Sequence, residues 1–283
     1  MLPEEKLEKL RAALGATGGA LVALSGGVDS TFLAKVAHDV LGERSLAVTI
    51  TSQIHPSFEK EEAAALAHAM GIRHKTVAVD ALGVEGLAEN PPERCYICKK
   101  SILKILVDIA AREKLPVVVE GTNASDEGDF RPGVRALAEL GIRSPLKDAG
   151  MTKADIRELS CKMGLPTWNK PSYACLASRI PYGERITDEK LRSIEHAEDF
   201  LRAAGYRMFR VRHHGAVARV ELSREEMKRF LETEDLAEVG RRIKACGFMY
   251  VALDLEGYRT GSLNETLGPR PSQRGEGRRD TVR

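Results

Sequence analysis

A short apolar run that breaks into a glycine-rich turn constrains the fold of this chain most strongly. Residues 21–24 are apolar, Ser25-Gly26-Gly27-Val28-Asp29-Ser30 follows, and a helical pattern begins at Thr31. Two glycines after a buried strand let the backbone turn tightly, so that amide N–H groups and a helix N-terminus converge on one anion. The pattern predicts that this turn holds the pyrophosphate end of a nucleotide such as ATP.

The turn is not a Walker A loop, because the spacing G-x-x-x-x-G-K-S/T is absent and no lysine of the run can reach a terminal phosphate. It resembles instead the loop of the PP-loop ATP pyrophosphatase superfamily, whose members split ATP between the α and β phosphates. The alternative is a glycine-rich turn in an ordinary α/β domain. The resemblance assigns the leaving pyrophosphate to Ser25, Gly26, Gly27, Asp29 and Ser30.

Composition indicates a globular protein without a strong electrostatic preference. The 283 residues are 43% hydrophobic, which suits one large domain or, more readily, two. Lysine and arginine number 43 against 41 acidic residues, so the net charge of +2 favours neither a nucleic-acid nor a membrane partner. The N-terminus lacks the pattern of a secretory signal, and the cytoplasm is the expected location.

Strand-like and helical patterns alternate through the first part of the chain. Alternation of this kind implies βαβ crossovers and a doubly wound parallel sheet with helices on both faces. The resemblance adds an adenine nucleotide alpha hydrolase-like arrangement. Ligands then bind at the carboxyl edge, where we expect Ser52 to help place the adenine or ribose of a nucleotide and Gly121, at the end of the fourth strand, to belong to the same nucleotide site. The predicted strands are 20–24, 45–51, 75–79 and 116–120, and the predicted helices are 30–41, 57–70 and 94–113.

The pattern changes after residue 183 to that of a small α+β domain. A helix is predicted at 188–204, strands at 208–213, 216–221 and 249–253, and helices within 224–246. We therefore predict an ATP pyrophosphatase domain over 1–180 and a substrate or oligomerisation domain over 181–266. The tail 267–283 has little to bury and is predicted to be disordered.

The five cysteines differ in their sequence surroundings. Cys95 and Cys98 are three residues apart at the start of a helical pattern, so they share one face and can grip one metal centre. A redox pair or two half-buried small side chains are the alternatives. Cys175 lies in a segment of small residues near the domain junction, whereas Cys161 and Cys246 lie in amphipathic or apolar surroundings that favour core packing. The neighbouring cations Lys99, Lys100 and Arg179 are expected to favour thiolates.

The loop, the C-x-x-C pair and the segment around Cys175 together resemble the LarE family, whose members are ATP-dependent sulfur transferases that help to make the nickel-pincer nucleotide cofactor of lactate racemase. The resemblance implies adenylation of a carboxylate on a pyridinium-3,5-biscarboxylate mononucleotide. A sulfur nucleophile then attacks the activated carbonyl and AMP leaves. Further matching motifs lie at 121–126, 129–133, 168–170, 178–183, 210–212 and 253–259.

The resemblance leaves the sulfur source open. In one branch of the family a single cysteine, matched here by Cys175, gives up its own sulfur and becomes dehydroalanine. In another branch three cysteines hold a [4Fe-4S] cluster whose fourth iron is open to a hydrosulfide. Because Cys95, Cys98 and Cys175 match the second branch, we expect a cluster fed by a sulfide donor, and a zinc site with three thiolates is a third possibility.

Other candidate residues complete the predicted site. Asp29 is a candidate Mg²⁺ ligand, because hard carboxylate oxygens and ATP phosphates commonly share Mg²⁺. Arg210 and Arg212 are two apart in a strand pattern, so they share one face that suits a phosphate. The resemblance adds Arg131 to the nucleotide-binding residues and Ser178 to the catalytic ones.

Three other functions compete with sulfur transfer to a small nucleotide. Thiolation of tRNA also uses PP-loop enzymes with three cysteines, but the balanced charge argues against an extended RNA surface. An amidating synthetase lacks a glutaminase-like signal here. A non-catalytic nucleotide- or metal-binding regulator is the alternative outside enzymes. The family further implies a homo-oligomer.

Overall fold

A computed structural model describes residues 1–126, 133–171, 174–259 and 261–267. The chain divides into two compact units. The first unit contains Met1–Leu176 and Arg185–Thr187, and the second contains Ala177–Glu184 and the chain from Asp188 onward. Arg131 and the predicted disordered tail beyond Leu267 lie outside the described residues.

The first unit is built on a four-stranded parallel sheet with the order β3-β2-β1-β4. The short fourth strand differs from the predicted strand at 116–120. It pairs with β1 on one side, and Val119 bridges to Arg143 on the other, after which the chain turns away. The strands are β1 (Ala20–Ala23), β2 (Ser45–Thr51), β3 (His74–Ala78) and β4 (Val118–Val119).

Seven helices of the described ranges accompany this sheet. One of them, α1, was not anticipated from the sequence, although it begins with a proline in its first turn and buries Leu7, Leu10 and Leu14. Within the described ranges, no helix of the protein is long and apolar enough to cross a membrane. The helices are α1 (Pro3–Gly15), α2 (Val28–Leu41), α3 (Ser57–Ala69), α4 (Arg94–Arg112), α5 (Gly133–Glu139), α6 (Pro145–Asp148) and α7 (Lys153–Lys162).

Hydrophobic clusters cover both faces of the sheet. Alternate residues of β1 point to opposite faces, so Val22 packs among residues of α1, α2 and α7, whereas Leu21 packs among residues of α4 and α5. Both β1 side chains are fully buried. A parallel sheet buried on both faces confirms the predicted doubly wound α/β class.

The second unit is a small α+β assembly. Its sheet has the order β5-β6-β7, with an antiparallel hairpin between β5 and β6 and a parallel pairing between β6 and β7. The helical pattern 224–246 is divided in two, because the Asp235 side chain accepts from the amides of Ala237 and Glu238 and so starts a new helix. The elements are α8 (Asp188–Ala203), β5 (Phe209–His214), β6 (Val217–Leu222), α9 (Arg224–Thr233), α10 (Leu236–Ala245) and β7 (Tyr250–Leu253).

A buried ion pair joins α8 to the start of this unit. The Arg179 guanidinium donates to both carboxylate oxygens of Glu198, at 2.8 and 2.9 Å, and both side chains are buried. Glu198 also accepts from the amide of Val211 in β5, at 3.1 Å. Burial alone would raise the pKa of Glu198, but Arg179 outweighs it and lowers the pKa overall. The carboxylate therefore holds a loop, a helix and a strand together as a charged group.

We predict that Glu198→Gln destabilises the protein by about 3–5 kcal/mol at pH 7, because it leaves a buried guanidinium without its counter-charge. Since the pKa is lower in the folded state, the contribution of the pair is complete above the unfolded pKa of about 4.3 and is lost as pH falls further. Urea denaturation at several pH values measures both effects. The exposed Glu232→Gln is the matched control, and an equal effect of the two substitutions would contradict the role of the pair.

Candidate active site

The glycine-rich turn lies between the end of β1 and the first turn of α2. Gly27 is the N-cap residue of α2 and has no side chain to cover the free amides of the first turn. Gly26 has a φ of +73°, and a Cβ at this position would lie 3.2 Å from the Cβ of Ala63 in α3. Glycine is thus required by both conformation and space, and the free N–H groups of α2 face an open cleft.

The two serines of the turn have different surroundings. Ser30 is buried, and its Oγ accepts from the Ser25 amide at 3.1 Å and donates to the Gly27 carbonyl at 3.3 Å. The two hydroxyl oxygens are 2.9 Å apart. Ser25 is exposed at the mouth of the cleft. Ser30 therefore closes the turn, whereas Ser25 is available to a ligand.

The end of β4 approaches the same turn. A Cβ at Gly121 would lie 3.1 Å from the Ser30 amide nitrogen, so glycine is required for this close approach. Two residues later, Asn123 donates to an Asp29 carboxylate oxygen at 3.3 Å. The predicted residues Gly121 and Asp29 therefore lie side by side at the carboxyl edge of the sheet.

Two lysines that the sequence analysis did not select reach the turn from distant segments. Lys153 Nζ lies 2.5 Å from the other Asp29 oxygen, and Lys170 Nζ donates to the Gly26 carbonyl at 3.0 Å. Both belong to segments more than a hundred residues beyond the turn in sequence. The cleft has a volume of about 140 Å³ and is lined by Ser25, Gly27, Val28, Asp29, Glu59, Lys153, Lys170 and Pro171.

Ser52 follows β2 at this carboxyl edge, as predicted from the strand pattern. Its hydroxyl is 3.0 Å from Nδ1 of His55. Burial lowers the pKa of His55, which keeps the imidazole neutral at pH 7. A neutral ring and a hydroxyl at a strand end suit hydrogen bonds to a nucleoside, so contact with the adenine or ribose remains a prediction for Ser52.

The three cysteines of the predicted metal site all lie in the first unit, close enough for their charges to interact. Cys95 is exposed in the first turn of α4, whereas Cys98 and Cys175 are half-buried. A charge on Cys175 would raise the pKa of both other thiols, so all three lie within electrostatic reach of one another. Among the residues that the structure describes, no group of three or more His, Cys, Asp or Glu side chains is placed so that it could hold a metal ion.

The expectation that nearby cations favour thiolates is wrong for Cys95 and Cys98 in the metal-free protein. Enclosure by the protein, followed by the charge of Cys175, raises the pKa of Cys95, and the same causes raise the pKa of Cys98 to about 12. The expected cations are occupied by carboxylates: Lys99 pairs with Glu120, Lys100 with Glu139 and Arg179 with Glu198. Metal binding would reverse this preference, because a metal takes the thiolate form.

Glu120 connects the cysteine helix to the end of β4. This buried carboxylate accepts from Lys99 at 3.2 Å, from both the amide and hydroxyl of Thr122, and from Ser144 at 2.6 Å. Burial alone would raise the pKa of Glu120, but Lys99 and the hydroxyl donors lower it overall. Because Lys99 follows Cys98 directly, Glu120 holds the cysteine helix at the edge that carries the glycine-rich turn.

The predicted residues of the second unit are buried and already paired. Arg212 donates to both Glu221 oxygens at 3.0 and 2.8 Å, and also to the Ser178 carbonyl at 2.8 Å. Arg210 lies over the Tyr258 ring, with its guanidinium carbon 5.0 Å from the ring centre. Phosphate binding by the two arginines and a catalytic role for Ser178 remain predictions.

The two cysteines assigned to core packing differ from each other. Cys161 is exposed near the end of α7, so core packing is wrong for this residue. Cys246 is half-buried at the end of α10, with Sγ 3.4 Å from the Arg242 carbonyl oxygen. The amphipathic pattern located the helix around Cys161 correctly but placed the thiol on the wrong face.

Comparison with known proteins agrees with this arrangement. Residues 4–90 match the NAD synthase family. The chain is 43% identical over 264 residues to an uncharacterised protein of Synechocystis sp., covering 93% of this chain and 98% of that protein. It is 38% identical over 263 residues to the pyridinium-3,5-bisthiocarboxylic acid mononucleotide synthase of Lactiplantibacillus plantarum, covering 93% and 95%. It is also 31% identical over 240 residues to an uncharacterised protein of Methanocaldococcus jannaschii, covering 85% and 90%.

A glycine-rich turn of this form, at the carboxyl edge of a parallel sheet, defines a PP-loop enzyme that uses ATP. The similarity to the synthase extends beyond the turn over nearly the whole length of both proteins. The chain belongs to the LarE family of ATP-dependent sulfur transferases, as the motifs predicted.

We predict that the Cys98 thiol of the metal-free protein reacts slowly with iodoacetamide. With a pKa of about 12, about one Cys98 in ten thousand is a thiolate at pH 8. Alkylation should be at least about 100-fold slower than at the exposed Cys161 and should accelerate about tenfold per pH unit. Peptide mass spectrometry after timed labelling measures both rates. Equal rates at the two positions would show that Cys98 is not desolvated.

Proposed function

We propose that this enzyme uses ATP to activate a carboxylate of pyridinium-3,5-biscarboxylate mononucleotide and then converts that carboxylate to a thiocarboxylate. The observation that supports this proposal is that the cysteines and the glycine-rich turn lie at the same edge of the sheet. The Leu176 amide, next to Cys175, donates to the Ile54 carbonyl just beyond β2 at 2.8 Å. Lys99, next to Cys98, contacts Glu120 at the end of β4.

The turn suits the first half of this reaction. A substrate carboxylate oxygen attacks the α-phosphorus, the bond from that phosphorus to the bridging oxygen breaks, and pyrophosphate leaves with the electron pair. The free amides of α2 and the Ser25 hydroxyl lie at the cleft and would hold the departing phosphates. Asp29 offers hard carboxylate oxygens in the cleft and would hold Mg²⁺.

The cysteines suit the second half. The acyl adenylate is a mixed anhydride, so a sulfur nucleophile can attack its carbonyl carbon and displace AMP. Cys95, Cys98 and Cys175 would hold the [4Fe-4S] cluster, since three mutually interacting thiols match its donor chemistry and leave one iron open. When bound, the cluster would supply sulfur at the open iron, and an external sulfide donor would replenish it.

The substrate assignment rests on the relative from Lactiplantibacillus plantarum, which is named for a pyridinium bisthiocarboxylic acid mononucleotide. Arg210, Arg212 and Arg131 are the proposed phosphate ligands for that nucleotide. The cytoplasmic location and a homo-oligomeric state remain predictions from the sequence.

We expect pyrophosphate release from ATP to depend on the pyridinium dicarboxylate nucleotide, with AMP formed in equal amount. Cys95→Ser, Cys98→Ser and Cys175→Ser should each leave pyrophosphate release largely intact and abolish thiocarboxylate formation, because adenylation precedes sulfur attack. Coupled pyrophosphate detection and mass analysis of the nucleotide measure the two halves separately. Cys161→Ser is the matched control. Release that ignores the nucleotide and responds to tRNA would support tRNA thiolation instead.

Two further readouts separate the sulfur sources. An iron–sulfur protein reconstituted without oxygen absorbs visible light and contains iron and sulfide, whereas a zinc site is colourless. If Cys175 gives up its own sulfur, the protein loses about 34 Da at that residue and stops after one turnover. Repeated turnover with intact Cys175 supports the cluster.

A further inference from the structure

The glycine-rich turn carries no cation of its own to meet the charge of pyrophosphate. Pyrophosphate carries several negative charges, and a Walker A loop meets them with its own lysine, which this turn lacks. Among the residues described as lining the cleft, the cationic side chains are Lys153 and Lys170. They come from separate segments and lie at the same opening as the free amides of α2.

Lys153 occupies an unusual position for its charge. It is the first residue of α7, where a cation opposes the helix dipole, and Asp155 in the same turn caps the helix with Thr152. Its ammonium group is instead directed to Asp29 at 2.5 Å, and its side chain remains one-third exposed. The helix dipole does not favour a cation at this position. The position of Lys153 beside the glycine-rich turn is therefore explained by a role in the cleft.

Lys170 is held at the cleft from two sides. Its ammonium group donates to the Gly26 carbonyl at 3.0 Å and to Glu62 at 2.6 Å. Its backbone carbonyl accepts from Arg157 at 3.0 Å, and the other arm of the same guanidinium donates to the Trp168 carbonyl at 2.9 Å. Arg157 lies one turn after Lys153 on α7, so one helix carries the first lysine and positions the second.

We propose that Lys153 and Lys170 form a two-lysine clamp on the β and γ phosphates of ATP, with Arg157 as its positioning residue. The proposal rests on the ATP cleavage described above. As the bond from the α-phosphorus to the bridging oxygen breaks, the electron pair remains on that oxygen and the charge of the pyrophosphate increases. Two fixed ammonium groups stabilise this charge without transferring a proton.

The test compares two ligands by calorimetry on the full-length enzyme. Lys153→Met and Lys170→Met should each weaken magnesium pyrophosphate binding by about 10-fold or more, because each removes a charge-assisted hydrogen bond. AMP binding should be unchanged, because AMP lacks the β and γ phosphates. Lys153→Arg and Lys170→Arg should retain most of the pyrophosphate affinity. Lys162→Met, on the same helix and half-exposed, is the matched control.

A second measurement begins with the unmodified protein, where the result does not depend on how variants fold. Magnesium pyrophosphate, but not AMP, should protect Lys153 and Lys170 from an amine-acetylating reagent, while Lys162 stays reactive in both cases. In Arg157→Gln, protection should fall at Lys170 and persist at Lys153, which a general loss of stability would not produce. Peptide mass spectrometry gives the extent of labelling at each lysine.

The outcomes separate this proposal from the proposed function. If the wild-type enzyme cleaves ATP and binds pyrophosphate while the methionine variants bind it equally well, the clamp is overturned and the function stands. Protection at neither lysine, with pyrophosphate bound, overturns it also. If the wild-type enzyme neither binds pyrophosphate nor releases it from ATP, the proposed function itself fails.

Discussion

The close approach of three backbone segments at the start of α2 is the constraint on which the active site depends. Gly26 places the turn against α3, and Gly121 brings the end of β4 within contact of the Ser30 amide. A side chain at either position would separate these segments and fill the space in front of the free helix amides. The hydrophobic clusters on the two sheet faces hold α2 and the strands in their positions. Packing of the core therefore also fixes the geometry of the cleft.

The cations expected to activate the cysteine thiols are held by carboxylates instead. Lys99 pairs with Glu120, and this buried carboxylate stays charged because Lys99 and neighbouring hydrogen-bond donors lower its pKa. Burial raises the pKa of the metal-free Cys95 and Cys98 thiols, so these two thiols bind a metal only when the metal displaces their protons.

Sequence patterns predicted many of the helices and strands because each of these elements depends mainly on residues that are close together in the sequence. Alternating apolar residues located β2, and the C-x-x-C pair correctly marked the start of α4. The helices predicted within 224–246 are separated at Asp235, whose side chain caps the start of α10. Cys161 was misplaced because the buried face of α7 carries Ile156, Leu159 and Ser160 and leaves Cys161 on the exposed side. The pairing of Lys153 with Asp29 depends on how α7 packs against α2, which no local pattern contains.

The distribution of charge around the turn explains why a loop without a lysine is sufficient. In a Walker A loop the cation and the amides lie in one short segment, so the sequence alone shows the complete phosphate site. Here the amides come from residues 25–30 and the cations from α7 and the turn that Arg157 holds. Because the amides and the cations come from distant segments, the complete phosphate site exists only when the first unit is folded. Both lysines come from residues 153–170, a part of the chain that is far from the turn in sequence and that folding brings to it.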